Sequence, residues 1–158
     1  MTEVINYWLM KSEPDVYGIN HLKEESYTLW DGIRNYQARN FMRQMKEGDQ
    51  AFFYHSNCNP PCITGLMEVT KTGIIDPTQF DKSSNYFDPK STQEKPKWDC
   101  VELKFVAKFI RPLSLEELKQ RYSSEQLPVV KKGNRLSITK VPKDTAKDLL
   151  INLGKFEK

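Results

Sequence analysis

The sequence has no long apolar run, few cysteines, few histidines and no strong excess of either charge, and each shortage removes a class of function. No stretch approaches the roughly 18 apolar residues of a membrane-spanning helix, so no membrane association is expected. The first residues run straight into a strand-like segment, without a basic and apolar signal peptide. The expected location is the cytoplasm, as in a bacterium, or the nucleus if the source is eukaryotic. The 3 cysteines, Cys58, Cys62 and Cys100, are odd in number and sparse for 158 residues, which speaks for a reducing compartment and against a disulfide scaffold. His55, Cys58 and Cys62 lie close together, but a structural zinc site needs a fourth ligand, and only Cys100 or the distant His21 remains to supply it. Neither a metal nor any other cofactor is expected. A GxSxG elbow, an HExxH helix and a zinc-deaminase signature are all missing, as are repeats and linkers.

What is present describes an ordinary globular chain. With 38% hydrophobic and 28% charged residues over 158 positions, the whole of 1–158 is expected to fold as one domain around one core, and to be a monomer. The net charge of +3 is mildly basic and does not by itself announce a nucleic-acid binder.

Patterning gives an α+β chain. INYWLMK, from Ile5 to Lys11, reads as a first strand stopped at Ser-Glu-Pro, so that Lys11 stands at the strand's end. Asp15 to Glu25 can form a short helix with Ile19 and Leu22 inward, and Tyr27 to Trp30 an extended piece turning at Asp31-Gly32. Ala38, Phe41, Met42 and Met45 recur at helical spacing, with Glu47-Gly48-Asp49 as the stop. Ala51 to His55 and Ile63 to Thr70 read as strands joined by a Pro60-Pro61 loop. Asp76 to Lys97 reads as a long ordered loop with one helical turn, pinned to the core by Phe80, Tyr86 and Phe87. Val101 to Phe109 alternate as a long half-buried strand. Ser114 with Glu117 forms a capping box ahead of a helix, Leu136 to Val141 is a last strand, and a helix from Pro142 to Gly154 ends the pattern.

Four stretches, YWLMKSEPDVY at 7–17, WDGIRNYQARNFMR at 30–43, FYHSN at 53–57 and KKGNRLSI at 131–138, together resemble the EVE family of the PUA-like superfamily. The agreement extends more weakly over nearly the whole chain, and departs from the family's pattern where Cys62 stands in place of a common glycine. The resemblance implies a PUA-like fold, a bent mixed β-barrel of about five to six strands flanked by helices. It also implies a partner, nucleic acid carrying a modified base, in DNA or RNA, with modified cytosine as the first expectation. A strand ending in Lys11-Ser12 and followed by Trp30 is similar to the YTH arrangement, in which an aromatic cage holds a methylated base.

A protein that reads such a base must unstack it, place it against an aromatic face and test its edge with fixed donors and acceptors. Trp30 is the candidate face, with core packing as its alternative; Ser12 and Asp31 can donate to and accept from a base edge, and Gly32 lets backbone come close. Arg34, Arg39 and Arg43 with Lys46, and the run Lys131, Lys132, Arg135, Lys140 and Lys143, can hold phosphates or be solvated faces. Asn35 and Gln37 can contact ligand or cap the helix they precede. His55 and Ser56 open into a loop from which they can reach a cleft, or His55 can be structural. Gly133-Asn134-Arg135 reads as a turn able to aim Asn134 and Arg135 at a ligand. Trp8 and Trp98 keep a structural reading. Two rivals remain. An ASCH-like hydrolase of a modified nucleoside would use Lys11 with Glu13, Glu68 or Ser12, and a protein-interaction module would use Tyr86 and Phe87.

Overall fold

The computed structural model describes residues 4–156. Residues 1–3 and 157–158, the extreme ends of the span assigned to one domain, lie outside the described residues. The elements run β1 (Tyr7–Ser12), α1 (Ile19–Glu25), β2 (Tyr27–Leu29), α2 (Tyr36–Gln44), β3 (Gln50–His55), β4 (Cys62–Ile75), β5 (Asp99–Ser114), α3 (Leu115–Arg121), β6 (Ile138–Val141) and α4 (Lys143–Asp148). The fold is α+β, as expected.

The 6 strands form a single mixed sheet in the order β2-β5-β4-β3-β1-β6. β1 pairs in parallel with β3, setting Lys11 opposite Tyr54 and Ser12 opposite His55, and all other pairings are antiparallel. The sheet bends strongly because the β4–β5 ladder slips register repeatedly along its length. Gly65 sits at one slip, where a Cβ would lie 2.6 Å from the Ala107 carbonyl oxygen, so only glycine permits this approach of β4 to β5.

Strand alternation divides the core between two faces. Trp8 and Met10 of β1 with Ala51 and Phe53 of β3 join α1, α2 and Trp30 on a front face. Leu9, Phe52 and Tyr54, one residue out of phase, join α3, α4 and Phe109 on a back face. Trp8, fully buried, donates Nε1–H to Asp49 Oδ2 at 3.0 Å, and Trp98 donates its own to Asp88 Oδ2 at 2.7 Å.

The local grammar held in several elements. The Ser114–Glu117 capping box is formed in both directions at the start of α3. Asn35 caps α2 by accepting the Ala38 amide at 2.9 Å.

Other boundaries moved for identifiable reasons. The expected helix from Asp15 starts only at Ile19, because Val16 and Tyr17 turn back to the Glu13 carbonyl and Gly18 takes the extended N-cap position, its amide held by His21 Nδ1. α2 stops at Gln44, before Glu47-Gly48-Asp49, because Met45 is already extended. β4 runs past Thr70 to Ile75 because β5 pairs with it that far. The last helix continues beyond Asp148 as a π-helical turn, Leu149–Leu153, closed by the Gly154 amide on the Leu149 carbonyl.

The loop from Asp76 holds its one helical turn, Pro77–Phe80, but is not pinned as expected. Tyr86 is 40% exposed and Phe87 half-buried. The anchors are polar. Gln79, fully buried, donates to the Asp76 and Trp98 carbonyls at 2.7 Å each, and its amide oxygen accepts from Ser91, Lys97 and Trp98.

Candidate functional site

The bent sheet's edge strands β2 and β6 are not paired to each other, and a pocket of about 620 Å³ opens between β2 and the residues leading into β6. That volume is in the range of small-ligand sites. β1 supplies Lys11 and Ser12 from its end; the turn after it supplies Glu13, Val16 and Tyr17; β2 and the turn beyond supply Thr28, Leu29, Trp30, Asp31, Gly32 and Ile33. Ser56, Tyr86, Arg135 and Ser137 complete the wall.

Trp30 packs into the core and also lines the pocket. Its indole packs edge-on against Phe53, ring centres 5.4 Å apart, and only 6% of the residue remains exposed. It is therefore a fixed back wall of the pocket and not a free slab. Gly32 has φ +78°, which favours glycine, and a Cβ there would lie 2.7 Å from the Tyr86 ring, which would have to shift to admit it.

The turn bearing Gly32 is held from outside the pocket by Asp76. This fully buried carboxylate accepts the Gly32 amide at 2.8 Å, the Thr78 amide and hydroxyl at 2.8 and 2.6 Å, and Arg34 Nη1 at 3.1 Å. Arg34 also donates to the Tyr86 carbonyl from Nε at 2.9 Å and to Thr78 Oγ1 at 3.0 Å. It is a strut that sets the Tyr86 segment beside Gly32, and it does not line the pocket.

Polar groups converge on the cavity. Lys11 donates Nζ–H to the Asn134 carbonyl at 3.2 Å and has no carboxylate at ion-pair distance among the described residues; partial burial lowers its pKa. Ser12 Oγ donates to the Tyr17 carbonyl at 2.6 Å, which leaves its oxygen free to accept. Asp31 reaches solvent at the rim, yet the flank of the pocket withdraws water from it and raises its pKa, and the charge of Asp76 raises it further.

Several candidates do other work. His55 Nε2 accepts the Ile19 amide at 3.1 Å, and burial, then Lys108, lowers its pKa; a neutral imidazole at the start of α1 is a structural acceptor. Asn134 is consumed by its own turn, donating to the Pro128 carbonyl at 2.7 Å and accepting the Leu136 amide at 2.9 Å. Asn35 is the α2 cap, Gln37 is exposed on α2, and Arg39 bonds the Lys97 carbonyl at 2.9 Å; none of the three lines the pocket. Of the second basic run, Arg135 alone is in the wall.

Tyr17, Leu29, Tyr86 and Ser137 line the pocket without having been candidates from sequence for ligand contact. Ser137 could have been found by aligning the last strand with the first. Glu68, named beside Lys11 for a hydrolase, pairs with Gln50 at the other end of β3 and is not in the wall. Among the described residues no cluster of three or more His, Cys, Asp or Glu side chains could hold a metal, and no helix is long and apolar enough to cross a membrane.

A bent mixed sheet with helices at its flanks and a pocket between one edge strand and the residues leading into the other defines a PUA-like domain. Within that class the chain belongs to the EVE family, whose model, the EVE domain, matches residues 6–151. It is 47% identical over 132 residues to thymocyte nuclear protein 1 of Mus musculus, an overlap covering 77% of this chain and 58% of that protein. The chain thus spans less than two thirds of that relative's length.

Among solved structures, a Pseudomonas syringae protein superposes with TM-score 0.87 at 49% identity, covering 91% of this chain and 97% of that one. The human THYN1 protein, in a crystal structure of its complex with 5-methylcytosine containing DNA, superposes with TM-score 0.85 at 40% identity, covering 92% and 95%. A YTH domain of Zygosaccharomyces rouxii, at TM-score 0.54 and 12% identity, shares the fold.

Proposed function

We propose that this chain, acting through 1–158 as one monomeric domain, binds nucleic acid and holds a modified base, a modified cytosine first, in the pocket between β2 and the residues leading into β6. The observation that carries the reading is the joining in one cavity of a buried indole, apolar side chains and polar groups that keep capacity for a further hydrogen bond. Trp30 closes the back, Leu29 and Ile33 offer contact to a methyl group, and Ser12 and Asp31 test the base edge. A carboxylate at Asp31 suits the exocyclic amine of cytosine, and Lys11 and Arg135 stand where phosphates of the same nucleotide and its neighbour can lie. The human relative's complex with methylated DNA supports this choice of base.

Burying one methyl group contributes about 1 kcal/mol, so a methylated site should bind roughly fivefold tighter than its unmodified counterpart. A fluorescence titration of single- and double-stranded DNA and RNA, bearing cytosine, 5-methylcytosine or 5-hydroxymethylcytosine, measures this ratio. Equal affinities for all three bases in every strand type would sink the proposal. A hydrolase reading has less support, because Ser12 Oγ donates to a carbonyl and the Glu13 carboxylate, though in the same wall, accepts from Asn57 Nδ2 at 2.8 Å.

A further inference from the structure

Outside the pocket, the start of α2 and the loop after β4 build a second assembly. Tyr86 packs on Gly32 at the pocket wall. Arg34 lies between Tyr86 and Trp98, 5.9 and 5.2 Å from their ring centres, and Trp98 stacks on Tyr36 at 4.8 Å with planes 20° apart. A continuous column of rings and guanidinium thus leads outward from the pocket. Of its rings Trp98 is covered, to 4% exposure, whereas the outermost, Tyr36, is 53% exposed.

Arg39 completes the outer end. Its guanidinium carbon is 4.7 Å from the Tyr36 ring centre and 5.8 Å from that of Trp98. With the rings themselves 4.8 Å apart, these separations form a triangle, so Arg39 lies beside the stack and leaves the far face of Tyr36 open. Its bonds to the Lys97 carbonyl and Asn40 Oδ1 fix the guanidinium without neutralising it. The nearby carboxylates are already engaged, Asp76 by Arg34, Asp99 by Arg43 at 2.5 Å, and Asp88 by the Trp98 indole. An exposed ring braced from behind and flanked by an unneutralised cation adds little to stability, but it is what unpaired nucleotides stack on.

We propose that Tyr36 and Arg39 form a second nucleotide subsite, in which a base on the same strand, near the modified one, stacks on Tyr36 while Arg39 meets its phosphate. The proposal rests on the pocket reading for the strand's direction of approach, but the platform binds any base. It therefore makes single-stranded or locally opened nucleic acid the substrate of this surface, since a base inside a duplex has both faces covered by its stacked neighbours.

The test separates the two subsites by ligand. Tyr36→Ala should weaken binding of a methylated single-stranded oligonucleotide roughly tenfold, the lower part of the worth of one stacked base, while leaving the affinity for the free nucleoside 5-methyl-2′-deoxycytidine unchanged. Tyr36→Phe should keep the wild-type affinity. An abasic residue scanned through the neighbouring positions should find one at which the Tyr36→Ala effect vanishes.

A 5-bromouracil placed at that position should photocrosslink to Tyr36 in the unmutated protein, which answers the case in which the alanine variant fails to fold. Unchanged oligonucleotide affinity in Tyr36→Ala, or crosslinks confined to the Lys131–Arg135 turn, overturns the platform. If wild type proves blind to methylation, the pocket reading fails by itself. The platform is then judged by the same tenfold ratio on an unmodified strand.

Discussion

The two faces of the sheet use similar residues to opposite ends. On the back face Leu9, Phe52, Ile63, Leu113 and Leu149 close over one another, and the charged groups at its margin, Arg121 and Asp148, neutralise each other at 2.8 Å. On the front face the core is just as dry around Trp8, Met10 and Met67, yet it ends at a cavity where the Lys11 amine, bonded to the Asn134 carbonyl, has no carboxylate at ion-pair distance among the described residues and Asp31 is held above its ordinary pKa. The lesson is that a fold of this size can finish its two cores differently, the back one at an ion pair beside a recess of about 310 Å³ and the front one at a cavity of about 620 Å³ with polar groups in its wall.

Removing packing from the back should produce the largest effect. Phe52→Ala takes a fully buried ring from the closed side, and about 3–5 kcal/mol of unfolding free energy should be lost in a urea melt. The methylated-to-unmethylated binding ratio of the surviving folded fraction should stay unchanged. A changed ratio would mean that the two faces are coupled more tightly than their separate clusters suggest.

Asp76 joins the pocket turn to the long loop, and its loss comes next. Asp76→Ala strands the Gly32 and Thr78 amides and the Arg34 charge, which should cost about 3 kcal/mol. Limited proteolysis should then nick residues 77–97, which should resist cutting in wild type. A loop that stays resistant would show that the Gln79 network alone holds it.

The smallest effects carry opposite signs on the two faces. Asp31 has a raised pKa in the folded state, so the fold takes up a proton there more readily than the unfolded chain does. Stability from this group falls as pH rises above the unfolded value of 3.8, and Asp31→Asn should therefore be slightly more stable than wild type at pH 7 and equal to it below pH 3.8.

Asp148 is the reverse. Hydrogen bonds from Arg121, Tyr122 and Asn152 hold its carboxyl well below the usual range, so its stabilisation is present above 3.8 and lost as pH falls toward the depressed folded value. Asp148→Asn should be less stable at pH 7, with the difference shrinking in acid. Thermal melts of both variants across pH 2–7 read the signs, and like signs would erase the contrast.

Much of this architecture was legible because it is local. The spacing of Ala38, Phe41 and Met42, the Ser114–Glu117 box and the alternation through Val101 to Phe109 each state a rule that short-range physics enforces. The pocket was half legible: Lys11, Ser12, Trp30, Asp31, Gly32, Ser56 and Arg135 do meet in one wall.

The residues that sequence misplaced are those decided by long-range pairing. Arg34 looks like a phosphate ligand until Asp76, 42 positions away, claims it, and His55 looks free until the Ile19 amide, 36 positions away, reaches it. Tyr86 was expected in the core because aromatics in polar loops usually anchor them, but Gln79 and Ser91 already do so. That leaves Tyr86 at the pocket.

The contrast between an open front and a closed back is tested most directly by an NMR titration with a short single strand carrying one 5-methylcytosine. The account predicts that the Trp30 indole and the amides of Ser12, Gly32 and Ser137 shift and saturate together, while those of Leu118, Leu127 and Ala146 stay still. Shifts concentrated on the back-face residues, with the pocket amides unmoved at saturation, would contradict it.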